Sequence, residues 1–392
     1  MERTMGEGLI LRRRFPAMAL ALAKAVHSYP GRHLFNSTVR SLRRSFMQKL
    51  PRVGAGDFVT YVEPCRGPHD GAGAKSVSHS GPRTEMLRRF DGKLSLDAKS
   101  HHIFHDGKVI WGSTDQIGRD RDPRVVGFFL SSNRHVDECI SLRGGFENNY
   151  FHFFIDTIPK LLLAERHVAD GIPVVVGESL AKQPFFRDAV DAGLFRSRPV
   201  LVQKRHEQLS AKRIWVPTPR DPTRSDLLEM VRRLTSSVPD ERGASRLYVT
   251  RGKAAGNARR LNNEADLMAC LRKYGFEFFD PQEHSLADQI AKFSQAEIIL
   301  SPHGAALTNL IWRQAKRLKV VELFNPRFRI DCYEQMSAVM GCDYWSVDNL
   351  NCSGNAFREA GDADIARIDQ LLAEIAGPKG YLPDQAASPT SH

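Results

Sequence analysis

The chain is expected to fold as an α/β protein in which parallel sheets are covered by helices, and three observations lead there. From residue 246 to residue 347, short apolar runs alternate strictly with longer helix-like stretches. The connections between them are short, as sequential β-to-α and α-to-β steps require. At 392 residues, with 42% apolar and 26% charged side chains, the chain is long enough for two such units, each with its own core, in an ordinary globular composition.

Taken in order, the elements begin after a basic arm, residues 1–56. Residues 57–140 mix short strands at 58–62, 108–111 and 126–130 with loops rich in Gly, His, Ser and Arg. A helix at 149–166 follows, then strand 173–176, a helix over 185–194, strands 200–202 and 214–216, and a helix near 225–236. Residues 238–245, with Pro239 and Gly243, are the expected linker closing a 57–240 unit. The second unit, 241–376, runs strand 246–250, helix 264–274, strand 276–280, helix 285–296, strand 297–301, helix 304–312, strand 319–323, helix 330–340, strand 343–347 and a last helix. The Pro- and Ser-containing tail, 377–392, is expected to be disordered.

Three segments carry chemistry. Glu297 to Trp312, EIILSPHGAALTNLIW, reads as a buried strand, a tight turn and a helix start. Unpaired backbone N–H groups and the positive helix end then converge at Gly304 and Ala305, where small residues let an anion approach, and His303 sits at the mouth of the turn. Upstream, Arg251, Arg259 and Arg260 bracket one loop at the carboxyl end of strand 246–250. Guanidinium groups bind phosphate oxygens in pairs, and ligands of open α/β sheets sit at such strand ends. The third segment, NYFHFFIDTIPKL at 149–161, puts His152 and Asp156 four residues apart on one helix face, with Asn149 on the same side. An imidazole and a carboxylate in that register make a general-base pair for activating a hydroxyl, and either could be the base. Pro159 is expected to end or kink that helix unless it opens the next one.

Together these segments resemble glycosyltransferase family 61. The resemblance rests on NYFHFFIDTIPKL, R-x-Y-x-x-R at 246–251, ARRLNNE at 258–264, Gln289, SPHGAALTN at 301–309 and VVEL at 320–323, and it spans residues 141–347. Lys160 replaces a common arginine, and Ala306 a common glycine. The resemblance implies a GT-B-like fold of two Rossmann-like domains facing a cleft, and inversion at the sugar carbon. It also implies a nucleotide-sugar donor, usually UDP-linked, and no obligatory metal. On that basis Arg251, Arg259, Arg260, His303 and the Gly304–Ala305 backbone would neutralise the leaving diphosphate. Thr308 and Asn309 would bond the same group or face the core, while Glu264 and Glu322 would hold the ribose hydroxyls or act as structural carboxylates. His152 or Asp156 would take the acceptor proton, with Asn149 on the acceptor side. The acceptor would be a saccharide or a lipid-linked or other glycoconjugate. A UDP-sugar 2-epimerase-like enzyme and a non-catalytic nucleotide- or carbohydrate-binding protein are the competing readings.

Charge and cysteines set the remaining bounds. Of the net +11, residues 1–56 hold +9, with eleven Lys/Arg against Glu2 and Glu7, which leaves +2 for the body. A nearly neutral body argues against nucleic-acid binding. The apolar stretch 15–26 is too short to span a bilayer, so the arm is expected to rest on an anionic membrane surface or to extend into solvent. Cys65, Cys139, Cys270, Cys332, Cys342 and Cys352 show no metal-type spacing and need no disulfide, which fits a cytoplasmic protein. Asp120/Asp122 and Asp362/Asp364 match Asp-x-Asp, yet neither pair follows a buried strand, so both are read as structural.

Overall fold

The computed structural model describes residues 52–54, 59–64, 85–106, 108–111, 113–114, 132–219, 221–235, 245–251, 260–313, 318–352 and 361–376. Residues 1–51 of the basic arm, the strand expected at 126–130, linker residues 238–244, Asp120, Asp122, Arg259 and the tail lie outside them. Among the described residues, no helix is long and apolar enough to cross a membrane.

The strands are β1 Arg52–Gly54, β2 Val59–Pro64, β3 Met86–Asp97, β4 Ile103–His105, β5 Lys108–Trp111, β6 Ser132–Ser141, β7 Val174–Gly177, β8 Val200–Gln203 and β9 Glu207–Thr218. β10 Ser245–Val249, β11 Phe276–Phe279, β12 Ala296–Pro302, β13 Lys319–Phe324 and β14 Asp343–Asp348 follow. The last five form a sheet in the order β11-β10-β12-β13-β14, parallel throughout, as the alternation predicts. The chain steps from β10 outward to β11, then returns to the other side of β10 as β12. That reversal makes a switch point at the carboxyl ends of β10 and β12.

The first sheet corrects the expectation of parallel strands. Its nine strands are mixed. β6 pairs in parallel with β7 and β9, while β3 runs antiparallel to β9, β4 and β2. Antiparallel neighbours need no covering crossover helix, so one face can stay polar, and β3 (MLRRFDGKLSLD) accordingly carries charges among its apolar residues.

One helix links the sheets. α1 begins with a turn at Tyr150–His152, passes through a π segment at Phe153–Thr157, and continues as an α-helix at Ile158–His167. Pro159 therefore opens the regular part of the helix, where its missing N–H costs nothing. The π segment adds one residue per turn, and it lies beside the His152/Asp156 pair. Phe153 and Phe154 are fully buried, and Phe154 meets Trp312 edge-on at 5.5 Å. The remaining helices are α2 Glu178–Ala181, α3 Pro184–Asp191, α4 Arg224–Thr235, α5 Glu264–Arg272, α6 Leu286–Ser294, α7 Cys332–Met340 and α8 Ile365–Ile375. Asp364 caps α8 by accepting from Arg367 N, the structural role expected of it. A single apolar cluster runs from Leu87 and Ile140 through α1 to Val249, Trp312 and Val320, so the two sheets share a core.

Candidate active site

The parallel sheet builds the first half of the site. β10 ends at Val249 and delivers Arg251 to its carboxyl edge, and β12 ends at Pro302 and delivers Gly304 beside it. A Cβ on Gly304 would stand 2.9 Å from Arg251 Nη2, so the guanidinium lies directly over the glycine. The Gly304 backbone is extended (φ 170), so a bare backbone is needed here for that close approach and not for an unusual φ. Ala305–Trp312 then form a 3-10 helix where an α-helix was expected. Its tighter winding keeps Leu310, Ile311 and Trp312 all buried against α1 and α6.

A cleft of roughly 360 Å³ opens at this switch point. Arg251, Thr250, Ser301, Gly304, Ala305, Ala306 and Asn309 form one wall, and Asp280, Gln282, His284 and Gln289 a second. Tyr150, Gln183 and Phe185 close it from the other half of the molecule. Of the residues expected to hold an anion, the structure thus gathers Arg251, Gly304 and Ala305 around one cleft. Arg260 precedes α5 and is not among the residues lining the cleft, and its buried Nε has no hydrogen-bond partner among the described residues.

His303 belongs to the same turn, but its ring packs away from the walls of that cleft. Its Nδ1 meets Glu322 Oε1 at 2.5 Å, and the ring stacks on Phe324 and touches Tyr333 edge-on at 5.5 Å. Glu322 is fully buried, and its other oxygen accepts from Tyr344 Oη at 2.7 Å. Burial pushes the Glu322 carboxyl above the ordinary glutamate range, against the opposing pull of His303. Both oxygens of Glu322 are thus engaged inside the protein, one of them orienting His303. Glu264 accepts from the buried Tyr248 hydroxyl at 2.9 Å, and so anchors the start of α5 to β10.

Asn309 is likewise a structural centre. Its Oδ1 accepts from Tyr150 Oη and from Trp312 Nε1, both at 2.6 Å, and its Nδ2 donates to Gln289 Oε1 and Ala306 O. Thr308 is fully buried and Asn309 almost so, while Asn309 also borders the cleft.

The second half of the site lies on α1. His152 Nδ1 and Asp156 Oδ2 are 2.7 Å apart, and both side chains are partly exposed, at 31% and 26%. The pair predicted from spacing alone is therefore formed and reachable. Asn149 turns out to be the N-cap of α1, accepting from the backbone N–H of Phe151 and His152. The pair is joined to the turn through aromatic contacts, since Phe151, next to His152, meets Tyr333 edge-on at 5.5 Å and Tyr333 meets His303.

Sequence reasoning missed Tyr150, Phe185, Asp280 and His284 as cleft walls, because only the packing of α1 and α3 against the parallel sheet reveals them. It missed the His303–Glu322 pair as well. The available signal was register, since Ser301, two residues before His303, pairs with Glu322 across β12 and β13.

A family model described as Glycosyltransferase 61 matches residues 150–321. The match begins at the first residue of α1 and ends inside β13, and so takes in both the His152/Asp156 pair and the Arg251–Gly304 switch point. No curated protein matches the chain.

Proposed function

This chain belongs to glycosyltransferase family 61 through residues 150–321, and from that premise we propose an inverting transfer of a sugar from a nucleotide-linked donor, UDP-linked by preference, to an acceptor hydroxyl. The observation that carries the reading is Arg251 lying over Gly304 at the switch point of the parallel sheet, where open α/β folds bind their ligands. A guanidinium beside a bare backbone suits a diphosphate, and Arg260, ahead of α5, is proposed to supply a second cation. These charges stand where a divalent ion would otherwise be needed, so the transfer is proposed to be metal-independent. The nucleotide lies in the cleft walled by Asp280, His284 and Phe185. His303, oriented by Glu322, sets the shape of the turn.

The acceptor side belongs to α1. Asp156 occupies Nδ1 of His152, which leaves Nε2 to face the hydroxyl. The hydroxyl oxygen attacks the anomeric carbon from the face opposite the diphosphate. The new C–O bond forms as the old one breaks, its electron pair leaves with the diphosphate, and the proton passes to His152 Nε2 while Asp156 stabilises the imidazolium. Asp156 is then the orienting group and His152 the base. The acceptor is a saccharide or lipid-linked glycoconjugate, with the basic arm against a membrane surface and the protein in the cytoplasm.

Calorimetry with UDP, GDP and CMP, with and without EDTA, tests the donor half. UDP is expected to bind selectively and with equal affinity in EDTA, and Arg251→Ala to weaken it roughly a hundredfold, the loss of a charge-assisted bidentate contact. A folded wild-type protein that binds none of the three nucleotides would refute the reading. Analysis of products from a UDP-sugar without acceptor separates it from an epimerase, which would convert the donor alone.

A further inference from the structure

Asp280 is a carboxylate in the wall of the cleft, at a place fixed by the parallel sheet. β11 ends at Phe279, and Thr250 N donates to Phe279 O at 2.9 Å. The ladder between β10 and β11 therefore runs out with Arg251 and Asp280 on neighbouring strands. Such strands lie about 4.8 Å apart, so the Asp280 backbone is one strand from that of the arginine lying over Gly304. Both residues leave their strands at the carboxyl end, where open parallel sheets receive ligands.

The local bonding holds that carboxylate in place and leaves part of it unused. Its Oδ1 accepts from Gln282 N at 3.1 Å and so caps the 3-10 turn Pro281–Glu283, whose Pro281 is buried. The buried Gln289 reaches the same turn from α6. Its Nε2 donates to Pro281 O at 2.8 Å and to His284 O at 3.2 Å, while its Oε1 accepts from Asn309 at 3.2 Å. The turn that carries Asp280 is thereby tied to the opposite wall, the one built by Ala306 and Asn309. Asp280 Oδ2 has no hydrogen-bond or ion-pair partner among the described residues. A carboxylate only accepts, and each oxygen has room for two donors, so its complement in the cleft is a group bearing O–H or N–H.

We propose that Asp280 accepts the 2′- and 3′-hydroxyls of the donor's ribose, and so selects ribonucleotides over deoxyribonucleotides. The proposal rests on the nucleotide-sugar reading and names the residue that recognises the ribose within it. With the diphosphate on Arg251 and the Gly304 backbone, the ribose is the next group along the nucleotide. The next support along the sheet edge is the end of β11, which is Asp280. The base, one ring further out, then falls toward His284 and Phe185. A vicinal diol presents two O–H donors side by side, and an acidic side chain near the phosphate turn of a parallel sheet is a recurring partner for it. Against the diphosphate itself a carboxylate would be repulsive, so the offset of one strand is what lets an acid serve here.

The test is calorimetry on the full-length protein with UDP, 2′-deoxy-UDP and 3′-deoxy-UDP. Wild type should bind at least one deoxy analogue more weakly than UDP by roughly tenfold to a hundredfold, the scale of a hydrogen bond to a charged group. Asp280→Ser keeps a capping side chain for Gln282 N but is too short to reach the diol. It should lose affinity for UDP by the same factor and bind all three nucleotides alike. Asp280→Asn preserves shape and removes the charge, so it should also bind UDP more weakly than wild type, and it carries the test if the serine variant does not fold. Tighter UDP binding by Asp280→Asn would mean that the carboxylate merely repels the diphosphate, which overturns the proposal. Equal binding of the three nucleotides by wild type, or discrimination that survives in Asp280→Ser, overturns it as well while leaving the transferase reading in place. A folded wild type that binds no UDP removes that reading and the role of Asp280 with it.

Discussion

Glu322 shows how a single buried carboxylate can serve a turn at a cost. Its oxygens hold His303 and Tyr344, yet burial raises its folded pKa above the unfolded value. For a carboxyl shifted upward, the sign is fixed. The stability it contributes is full below the unfolded value and is lost as the pH rises through the folded one, because the charged form must then be kept in the interior. Glu322→Gln keeps an acceptor for Tyr344 and removes the titration. The stability of Glu322→Gln relative to wild type should therefore rise as the pH climbs above the ordinary glutamate range, read by urea titration at each pH. A difference that is flat or falls over that range would show that the His303 partner outweighs burial. The sequence leaves this carboxylate open between a ribose contact and a structural role, because VVEL looks the same whether its glutamate points to a ligand or into the sheet edge. The histidine it meets in the structure lies 19 positions away.

At the scale of elements, the parallel half was legible and the mixed half was not, for one physical reason. Strands such as Val320–Val321 and Ile298–Leu300 are buried on both faces and appear as uninterrupted apolar runs, and β10 to β14 follow the expected boundaries closely. β3 and β6 mix exposed with buried residues and carry Arg88, Arg89, Arg134 and Glu138, so neither stands out as an apolar run. The 3-10 helix at 305–312 was read as an α-helix because composition does not separate the two. Asn309 explains its geometry, with four hydrogen bonds tying it to α1, α6 and its own turn. Asn309→Ala leaves the Tyr150 hydroxyl and the Trp312 indole N–H without their acceptor in a buried place. The expected loss is about 2–4 kcal/mol of unfolding free energy by denaturant titration, a range set by stranded buried donors. A loss below about 0.5 kcal/mol would mean that those donors find water, and that the helix is not held by this residue.

At the scale of the whole molecule, the two sheets are joined through a common apolar cluster. Leu87 and Ile140 of the first, Phe153 and Phe154 of α1, and Leu247, Trp312 and Val320 of the second belong to one apolar cluster. Polar contacts reinforce the seam, with Tyr150 on Asn309 and the Leu286 N–H on Asp188. Interfaces between independent domains are more polar than an apolar core, and domains joined through a common core unfold together. Calorimetry should therefore show one cooperative transition. Trp312→Ala, which removes the largest of the fully buried side chains at the seam, should lower that single transition as a unit, at a cost of about 3–5 kcal/mol. Two transitions in wild type, with only one displaced in Trp312→Ala, would show that the halves fold separately. The same coupling bears on function, because the cleft takes Tyr150 and Phe185 from one half and Arg251 and Gly304 from the other. A core shared between the halves holds these walls at a set separation, so the cleft keeps its shape before any ligand arrives.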